Sequence, residues 1–169
     1  MKYVFKKFDY NFPKIFLLEK ERLSEALGES VVIEHIGSTA IPELGGKGII
    51  DIALGAEIKE FQKISRILKK IGYEFKPNAG VRKRLFFLLE KSNKARKKQI
   101  YHIHLTNIKG KEWNRMIKFR DYLLTHPLAV KAYADIKKKA AEESNQDKDV
   151  YMKLKEPIIK EILIKALKT

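Results

Sequence analysis

Three short segments of the chain carry side chains that could act together in chemistry. Asp51 is a carboxylate inside the apolar run Ile-Ile-Asp-Ile, a His-Ile-His triplet occupies 102–104, and a Gly-Ser-Thr turn occupies 37–39. A carboxylate accepts hydrogen bonds or binds a cation, imidazole titrates near neutral pH, and the N–H groups of a tight turn suit phosphate oxygens. Together the three segments indicate a site for an anionic or metal-bound ligand.

The period of a β-strand predicts that the acid and the imidazoles share one surface. Side chains alternate between the two faces of a strand. Asp51 therefore lies opposite Ile50 and Ile52, and His102 and His104 lie together on one face of their own strand. If the two strands are neighbours in one sheet, these three groups line a common cleft.

Each segment also has a purely structural interpretation. An unpaired buried carboxylate costs several kcal/mol, so Asp51 needs a metal, a hydrogen-bond donor or water, and a loop amide would serve. An alternating histidine pair is also typical of the solvated face of an edge strand, and most Gly-Ser-Thr turns are plain turns. The phosphate-binding pattern G-x-x-x-x-G-K-[ST] is absent from the chain.

Hydrophobic periodicity, glycine and proline predict the elements that hold these residues. The predicted helices cover 11–27, 57–71, 111–124, a segment beginning at Pro127, and a last segment that Asp147 or Asp149 caps and Pro157 kinks or splits. The predicted strands cover 31–36, 48–54 ended by Gly55, 84–90 and 99–106, with 92–98 as a hairpin connection. The apolar face predicted for the first helix carries Ile15, Leu18, Leu23 and Leu27. Because strands and helices are partly segregated, we expect an α+β fold with a mixed or antiparallel sheet.

Length and composition predict one folded domain. The chain has 169 residues, of which 44% are hydrophobic, and this suffices for a core in a single domain over 1–169. Within it we expect an α/β core over about 1–108 and helices over about 109–169. The chain has no cysteine, which excludes disulfides and thiolate metal sites. No apolar run reaches the thickness of a bilayer and the N-terminus lacks a signal core, so we expect a cytoplasmic protein without a membrane partner.

Positive charge dominates the chain and is unevenly distributed. The formal net charge is +15, and between Lys76 and Arg120 only Glu90 and Glu112 oppose a dense run of lysine and arginine. A field of this sign attracts nucleic acid, nucleoside triphosphates or an anionic membrane surface. A lysine-rich surface typical of heat-adapted proteins would explain the total charge, but it explains the clustering less well.

A longer stretch around Asp51 resembles a known family. The segment HIGSTAIPELGGKGIIDI, 35–52, is similar to the GrpB signature HxGSTxVPGLxxKPxIDI. Further likeness follows in order along the chain: GVRKRLFF at 80–87, YHIHL at 101–105, FRDYLLTHP at 119–127, and the pairs Tyr133/Lys137 and Tyr151/Lys155. The resemblance covers the chain from about residue 10 to its end.

The GrpB family is grouped with the nucleotidyltransferase superfamily, whose fold resembles the palm of DNA polymerase β. The resemblance implies a mixed sheet flanked by helices, a nucleotide-binding Gly-Ser turn, and a divalent metal, Mg²⁺ or Mn²⁺, that acts on an NTP and a small-molecule acceptor. In that superfamily a D-x-D pair and a third carboxylate hold the ions. Here Ala53 occupies the second position, and His102 and His104 stand where the third acid is expected. Imidazole suits Zn²⁺ better than Mg²⁺, so one metal, a different metal, or binding without catalysis all stay open.

The candidate site residues follow from the motifs and the resemblance together. We assign Asp51, His102 and His104 as catalytic; Gly37, Ser38, Thr39, Lys47, Arg84 and Arg120 as phosphate or nucleotide contacts; and Asp51, His35, His102 and His104 as metal ligands. Arg120 could equally form an ordinary ion pair with Asp121. The two tyrosine–lysine pairs could stack a base and hold phosphate, although a solvated helix face is the more common use of such spacing. We expect Trp113, Phe119 and Tyr122 in the core.

Three functions are consistent with these features: a metal-dependent nucleotidyltransferase, a non-catalytic nucleotide-binding protein, and a basic nucleic-acid-binding module. We rank the last of these lowest, because the chain lacks a helix-turn-helix, zinc-finger or RNA-binding aromatic signature. The sequence does not determine the oligomeric state.

Overall fold

The computed structural model describes residues 5–79, 83–92 and 98–168. The helices in this part of the chain are α1 (Phe12–Leu27), α2 (Phe61–Lys70), α3 (Lys111–Thr125), α4 (Pro127–Glu143) and α5 (Lys148–Lys168). The strands are β1 (Val32–Ile36), β2 (Ile50–Ala56), β3 (Glu74–Phe75), β4 (Arg84–Ser92) and β5 (Lys98–Asn107). Short 3-10 turns at Ser38–Ala40 and Ile58–Glu60 follow β1 and precede α2.

The strands form a mixed sheet, which confirms the predicted α+β class. The described strands lie in the order β1-β2-β5-β4-β3. β2 and β5 run parallel, and the other neighbouring pairs run antiparallel. The parallel register places Asp51 beside His102 and Ala53 beside His104. Two segments about fifty residues apart in the sequence therefore meet at the centre of the sheet.

One face of the sheet packs against α1 and α2 as a hydrophobic core. Ile52, Leu54, Ile103 and Leu105 are fully buried in this cluster. Aliphatic residues at every second strand position supply this face, so the alternate positions, which include Asp51, lie on the other one.

The C-terminal helices stand over that other face. A second apolar cluster joins Leu123 of α3, Val130 of α4 and Ile162 of α5 to Ile41 and Leu44 from the loop before β2. Helix α3 also contacts β1, β2 and β5. A cleft therefore lies between the polar face of the sheet and the C-terminal helices.

The inward face of the first helix is rotated from the predicted one, although Leu23 and Leu27 belong to both. The buried residues of α1 are Phe12, Phe16, Glu19, Leu23 and Leu27. Ile15 is only partly buried, and Leu18 is 61% exposed. The rings of Phe12 and Phe16 bury more apolar area than Ile15 and Leu18 would, and this sets the rotation of the helix.

Strand β2 is shifted towards its C-terminus relative to the prediction. It runs through Gly55, which was expected to end it. This glycine lies against the Trp113 ring, and an added Cβ would come within 2.8 Å of the ring. Gly55 thus permits a close approach and does not end the strand. The strand begins after Gly48, whose φ of +76° is not extended. The two-residue strand β3 was not predicted, because it is too short to show a period.

Helix α5 is continuous from Lys148 to Lys168, so of the two effects predicted for Pro157, a kink or a split, the split does not occur. The Asp147 carboxylate caps it by accepting hydrogen bonds from the backbone N–H groups of Asp149 and Val150. Most of the predicted connection 92–98 lies outside the described residues, although β4 and β5 pair antiparallel as expected. Within the described part of the chain, no helix is both long and apolar enough to cross a lipid bilayer.

Candidate functional site

An acid and two imidazoles meet at the floor of the cleft. Asp51 lies near the start of β2, and His102 and His104 come from the adjacent β5. His102 Nδ1 lies 3.2 Å and His104 Nε2 lies 3.3 Å from the same oxygen, Asp51 Oδ1. The parallel pairing of the two strands produces this arrangement, since it aligns their alternate side chains. The structure thus brings these three candidate residues together.

The carboxylate determines the tautomers of both rings. Burial alone would raise the pKa of Asp51, but hydrogen bonds from His102 and His104 hold it well below its ordinary value. An ionised carboxylate only accepts hydrogen bonds, so each facing ring nitrogen carries a proton. Burial lowers the pKa of His104, so its ring is neutral at pH 7, and its buried Nδ1 has no hydrogen-bond partner among the described residues.

The backbone of Gly37 lies against the other oxygen of Asp51. Gly37 follows β1 with a φ of +73°, a conformation that favours glycine. A Cβ at this position would lie 2.5 Å from Asp51 Oδ2. Asp51 therefore has one oxygen bonded to the imidazoles and the other against the turn.

The cleft above Asp51 has the size of a small-molecule site. Its volume is about 810 Å³. Its walls include Ser38, Asp51, Phe86 and His102 from the sheet side and Phe119, Tyr133 and Tyr151 from the helices. Five lysines also line its described part: Lys47, Lys76, Lys137, Lys148 and Lys155. Asp51 is the one carboxylate in this described lining, so positive charge is in excess.

Three of these lysines, Lys47, Lys137 and Lys155, are held in place inside the cleft, and we call them the lysine cluster. Lys155 Nζ lies 4.1 Å and Lys47 Nζ 5.2 Å from the centroid of the Tyr151 ring. Lys137 Nζ donates a hydrogen bond to the Gly45 carbonyl at 2.6 Å. Cation–π contacts and the carbonyl thus fix the three ammonium groups around one region.

The tyrosine–lysine pairs of α4 and α5 do not lie on a solvated helix face. Tyr133, Lys137, Tyr151 and Lys155 are all buried, with at most 9% exposure. Each lysine follows its tyrosine by four residues, so both side chains project from the same side of the helix, and this side faces the cleft. The solvated-face interpretation of these pairs is therefore wrong.

Burial and mutual repulsion weaken the basicity of the lysine cluster. Burial, followed by the charge of Lys155, lowers the pKa of Lys137 to about 7. Burial, followed by the charge of Lys47, lowers the pKa of Lys155 to about 8, and burial lowers the pKa of Lys47 as well. Perturbed groups that converge in a cleft are typical of binding and catalytic sites.

Comparison with known proteins identifies the family. A family model described as GrpB protein matches residues 3–165. This chain belongs to the GrpB family. It is 35% identical to the glutamate-rich protein GrpB of Alkalihalophilus pseudofirmus, over 90% of this chain and 89% of that one. It is 34% identical to the UPF0157 protein YqkA of Bacillus subtilis, over 84% of this chain but only 40% of YqkA.

The GrpB fold is confirmed by a solved structure. The crystal structure of conserved protein GrpB from Enterococcus faecalis matches this chain with a TM-score of 0.82 and 30% sequence identity. The match covers 98% of each chain.

The donor set of this GrpB site does not fit the divalent metal that the sequence resemblance led us to expect. Within the described residues, no group of three or more His, Cys, Asp or Glu side chains is arranged to hold a metal ion. Ala53, at the second carboxylate position, is fully buried beside His104. Both oxygens of Asp51 have close neighbours, since Oδ1 accepts hydrogen bonds from the two imidazoles and Oδ2 lies against the Gly37 backbone. A hard cation such as Mg²⁺ would have to displace them and would find few oxygen ligands.

Two residues of the GrpB signature face away from the cleft. His35 lies on the face of β1 towards α1, where its ring stacks on Phe16 at 4.5 Å between centroids. Its Nε2 lies 3.0 Å from Thr39 Oγ1, and Thr39 donates to the Ile49 carbonyl at 2.9 Å. Burial lowers the pKa of His35 to about 4, so the ring is neutral. These contacts stabilise the turn, and neither residue joins the Asp51 cluster.

The two predicted arginine contacts are engaged elsewhere in this GrpB protein. Arg120 forms ion pairs with Glu34 and with Asp121, the second of which was the alternative left open by the sequence. Arg84 lies 3.9 Å from Glu112 of α3, and its buried Nε has no partner among the described residues. Neither arginine belongs to the described lining of the cleft, whereas the predicted contacts Ser38 and Lys47 do.

Sequence reasoning underestimated the C-terminal helices. Lys137 lies in the buried stripe of α4 together with Val130, Tyr133 and Ala140. A charged residue inside an apolar helical stripe is as unusual as Asp51 inside its strand, and it was the available signal. Phe119, expected only in the core, also lines the cleft.

Proposed function

We propose that this GrpB family member binds a nucleotide in the cleft, with its phosphates at the lysine cluster and its base against the aromatic walls. The observation that carries the proposal is the excess of buried positive charge over carboxylate in the described lining. A buried ammonium group is costly without a compensating charge. A ligand rich in negative charge would supply that compensation.

The chemistry of the walls supports a nucleotide over a simple anion. Ser38 Oγ and Lys137 Nζ both lie close to Gly46, where an added Cβ would come within 2.6 Å and 2.8 Å of them. This glycine leaves a hydroxyl and an ammonium group side by side, which suits phosphate oxygens. Phe119 and Tyr133 offer aromatic faces of the kind on which bases stack. The grouping of GrpB proteins with nucleotidyltransferases favours the same ligand class.

Ligand-dependent thermal stabilisation tests this proposal. Nucleoside triphosphates should raise the Tm and nucleosides should not, because the phosphates make the charged contacts. A ligand at about a hundred times its Kd stabilises the folded state by about 2.7 kcal/mol. Lys155→Met should reduce the shift to about half or less, whereas Lys153→Met, at an exposed position of the same helix, should retain it. No shift with any nucleotide would contradict the proposal.

A second candidate function, nucleotidyl transfer to a small-molecule hydroxyl, is favoured by the Asp51–His102 pair. Asp51 accepts the Nδ1–H of His102, and whenever Nε2 carries no proton, its lone pair can accept one. An acceptor hydroxyl would lose its proton to this nitrogen while its oxygen bonds to the α-phosphorus. The bond to the departing pyrophosphate would break in the same displacement, and the lysine cluster would stabilise its charge.

Pyrophosphate release from labelled NTP, with candidate hydroxyl acceptors, tests the second candidate. His102→Gln should lower the rate about 100-fold or more, the usual contribution of a general base, while nucleotide binding persists. Release that is unaffected by His102→Gln and by Asp51→Asn would exclude this chemistry. Binding without release under any condition would leave the non-catalytic nucleotide-binding function.

Nucleic-acid binding stays the lowest-ranked function. The side chains of Arg84 and Arg120 form ion pairs within the protein. Four other basic residues of the run, Arg82, Lys94, Arg96 and Lys97, lie outside the described residues. The name of the Alkalihalophilus relative describes a glutamate-rich protein, whereas this chain has 36 Lys and Arg against 21 Asp and Glu. RNA or DNA affinity that falls steeply with salt would reverse this ranking.

A further inference from the structure

We infer that the cleft binds the polyphosphate of its ligand without a divalent metal ion, and that Lys47, Lys137 and Lys155 supply the positive charge that metal ions supply elsewhere. The inference rests on the proposed nucleotide-binding function and adds how the phosphates are neutralised. It departs from the metal dependence that the superfamily resemblance implies.

The first argument concerns the acid. A metal shared between protein and phosphate needs carboxylate oxygens that can turn towards it. Asp51 Oδ1 accepts hydrogen bonds from two rings, and Oδ2 lies against the Gly37 backbone. Ala53 removes the second acid of the expected pair. The carboxylate is therefore arranged to orient imidazoles and not to bridge to a cation.

The second argument concerns the balance of charge. Asp51 is the acid whose field opposes the positive charges of both Lys137 and Lys155, and it is itself bonded to His102 and His104. Neither lysine forms an ion pair with a carboxylate among the described residues. Like charges that converge in a desolvated cleft repel one another. A polyphosphate, which carries several negative charges on neighbouring groups, would relieve this repulsion.

The third argument concerns rigidity. Lys47 and Lys155 share one ring, Tyr151, and Lys137 is tied to the Gly45 carbonyl. Ammonium groups fixed before the ligand arrives lose little side-chain entropy on binding. The cluster also draws on three separate parts of the fold, namely the loop before β2, α4 and α5. The three ammonium groups are therefore positioned by independent elements of the fold.

Metal-free calorimetry tests the inference. Inorganic tripolyphosphate and a non-hydrolysable ATP analogue would be titrated into the full chain, once with EDTA and once with excess Mg²⁺ or Mn²⁺. We expect tight binding in EDTA and equal or weaker binding with the metal, because the metal neutralises the ligand's charge. Lys137→Met and Lys155→Met should each weaken binding about tenfold or more, the usual loss for a desolvated charge pair.

Matched variants separate local contacts from bulk charge. Lys138→Met and Lys153→Met remove the same charge from exposed positions of α4 and α5 and should leave the Kd within about twofold. Lys155→Arg keeps the charge and should retain measurable binding even if a methionine variant fails to fold. Binding that requires Mg²⁺ or Mn²⁺ would overturn the inference and leave the proposed function intact. No binding with or without metal would overturn both.

Discussion

Two buried groups of charged side chains in the described part of the chain differ in how their charges balance. On α1, Glu19 is 2% exposed and accepts hydrogen bonds from Arg22, from Tyr73 at 2.8 Å and from Lys91 at 2.7 Å. We call these four residues the Glu19 network. In it, one acid is matched by two cations and a hydroxyl, and both cations still reach solvent.

The lysine cluster has the opposite character. Its ammonium groups are packed around aromatic rings and one carbonyl, and the nearby acid, Asp51, is bonded to imidazoles. The pKa of Glu19 is lowered, because hydrogen bonds from Arg22 and Lys91 outweigh its burial, whereas the pKa values of the lysines are lowered by burial. A buried network in which every charge has a partner stabilises the fold. Buried charges without an opposite charge destabilise it, and a ligand of opposite charge would remove that penalty. Under the proposed function, the Glu19 network stabilises the fold and the lysine cluster binds the ligand.

The largest expected effect is at the turn beside Asp51. Gly37 and Gly28 share nearly the same backbone conformation, with φ and ψ of 73° and −171° for Gly37 and 76° and −177° for Gly28. Gly28→Ala meets no atom within 4 Å and should cost about 1–2 kcal/mol from conformation alone. Gly37→Ala adds a clash with Asp51 Oδ2 and should cost about 2 kcal/mol more. Urea unfolding of both variants measures the difference, and equal losses would mean that the turn does not press on Asp51.

The next largest effect is in the Glu19 network. Glu19→Ala should lower the free energy of unfolding by about 3 kcal/mol, because Tyr73 is left with an unpaired buried hydroxyl and two cations lose their partner. Glu25→Ala, at an exposed position of the same helix, is the control. Polyphosphate binding should be unchanged in both variants. A loss of binding in Glu19→Ala at a temperature where it is folded would contradict the separation of the two groups.

The pH dependence of Glu19 has a defined sign. Its folded pKa lies below the unfolded value, so its contribution is present above that unfolded value and is lost as the pH falls. The difference in unfolding free energy between the native chain and Glu19→Gln should therefore shrink in acid. A difference that stays constant from neutral pH into acid would show that the carboxylate charge contributes nothing.

The lysine cluster should also make stability rise with pH, but in a window above about pH 7, where a buried charge that opposes folding is lost. The folded pKa of Lys137 is about 7 and its ordinary value is 10.5, so between them the unfolded chain binds a proton that the folded chain lacks. Stability relative to Lys137→Met should therefore rise with pH across this window, by up to about 1.4 kcal/mol per unit. Urea unfolding at several pH values checks the slope. A flat difference would show that Lys137 stays charged throughout.

The chemistry at the sheet could be predicted from the sequence because it depends on local periods. Alternation placed Asp51 on one face of β2 and His102 and His104 on one face of β5. Their meeting also required the two strands to be neighbours, a condition that the sequence left open and the structure meets. The residue types in an apolar strand were a sufficient signal.

The cation side of the cleft could not be predicted in the same way. Lys137 meets the Gly45 carbonyl across 92 positions of sequence, and Lys47 meets the Tyr151 ring across an even longer span. Such contacts depend on how α4 and α5 lie over the sheet, and helical periods do not encode this. The inward rotation of α1, which buries Glu19 among Phe12, Phe16 and Leu23, was also missed. There the apolar spacing admitted two faces, and tertiary packing chose between them.

The smallest expected effect tests whether the Glu19 network stabilises the fold through ion pairing itself or through the burial of its charges. Lys165 and Glu161 form an ion pair at 2.6 Å on the exposed side of α5, one helical turn apart. Both side chains are more than half exposed, so water and salt screen their attraction, and the pair resembles the Glu19–Lys91 contact in distance only. Glu161→Gln should therefore leave the urea midpoint unchanged within error, at low and at high salt. A loss comparable to that of Glu19→Ala would mean that pairing itself stabilises this protein, and the contrast between balanced and unbalanced buried charge would lose its physical basis.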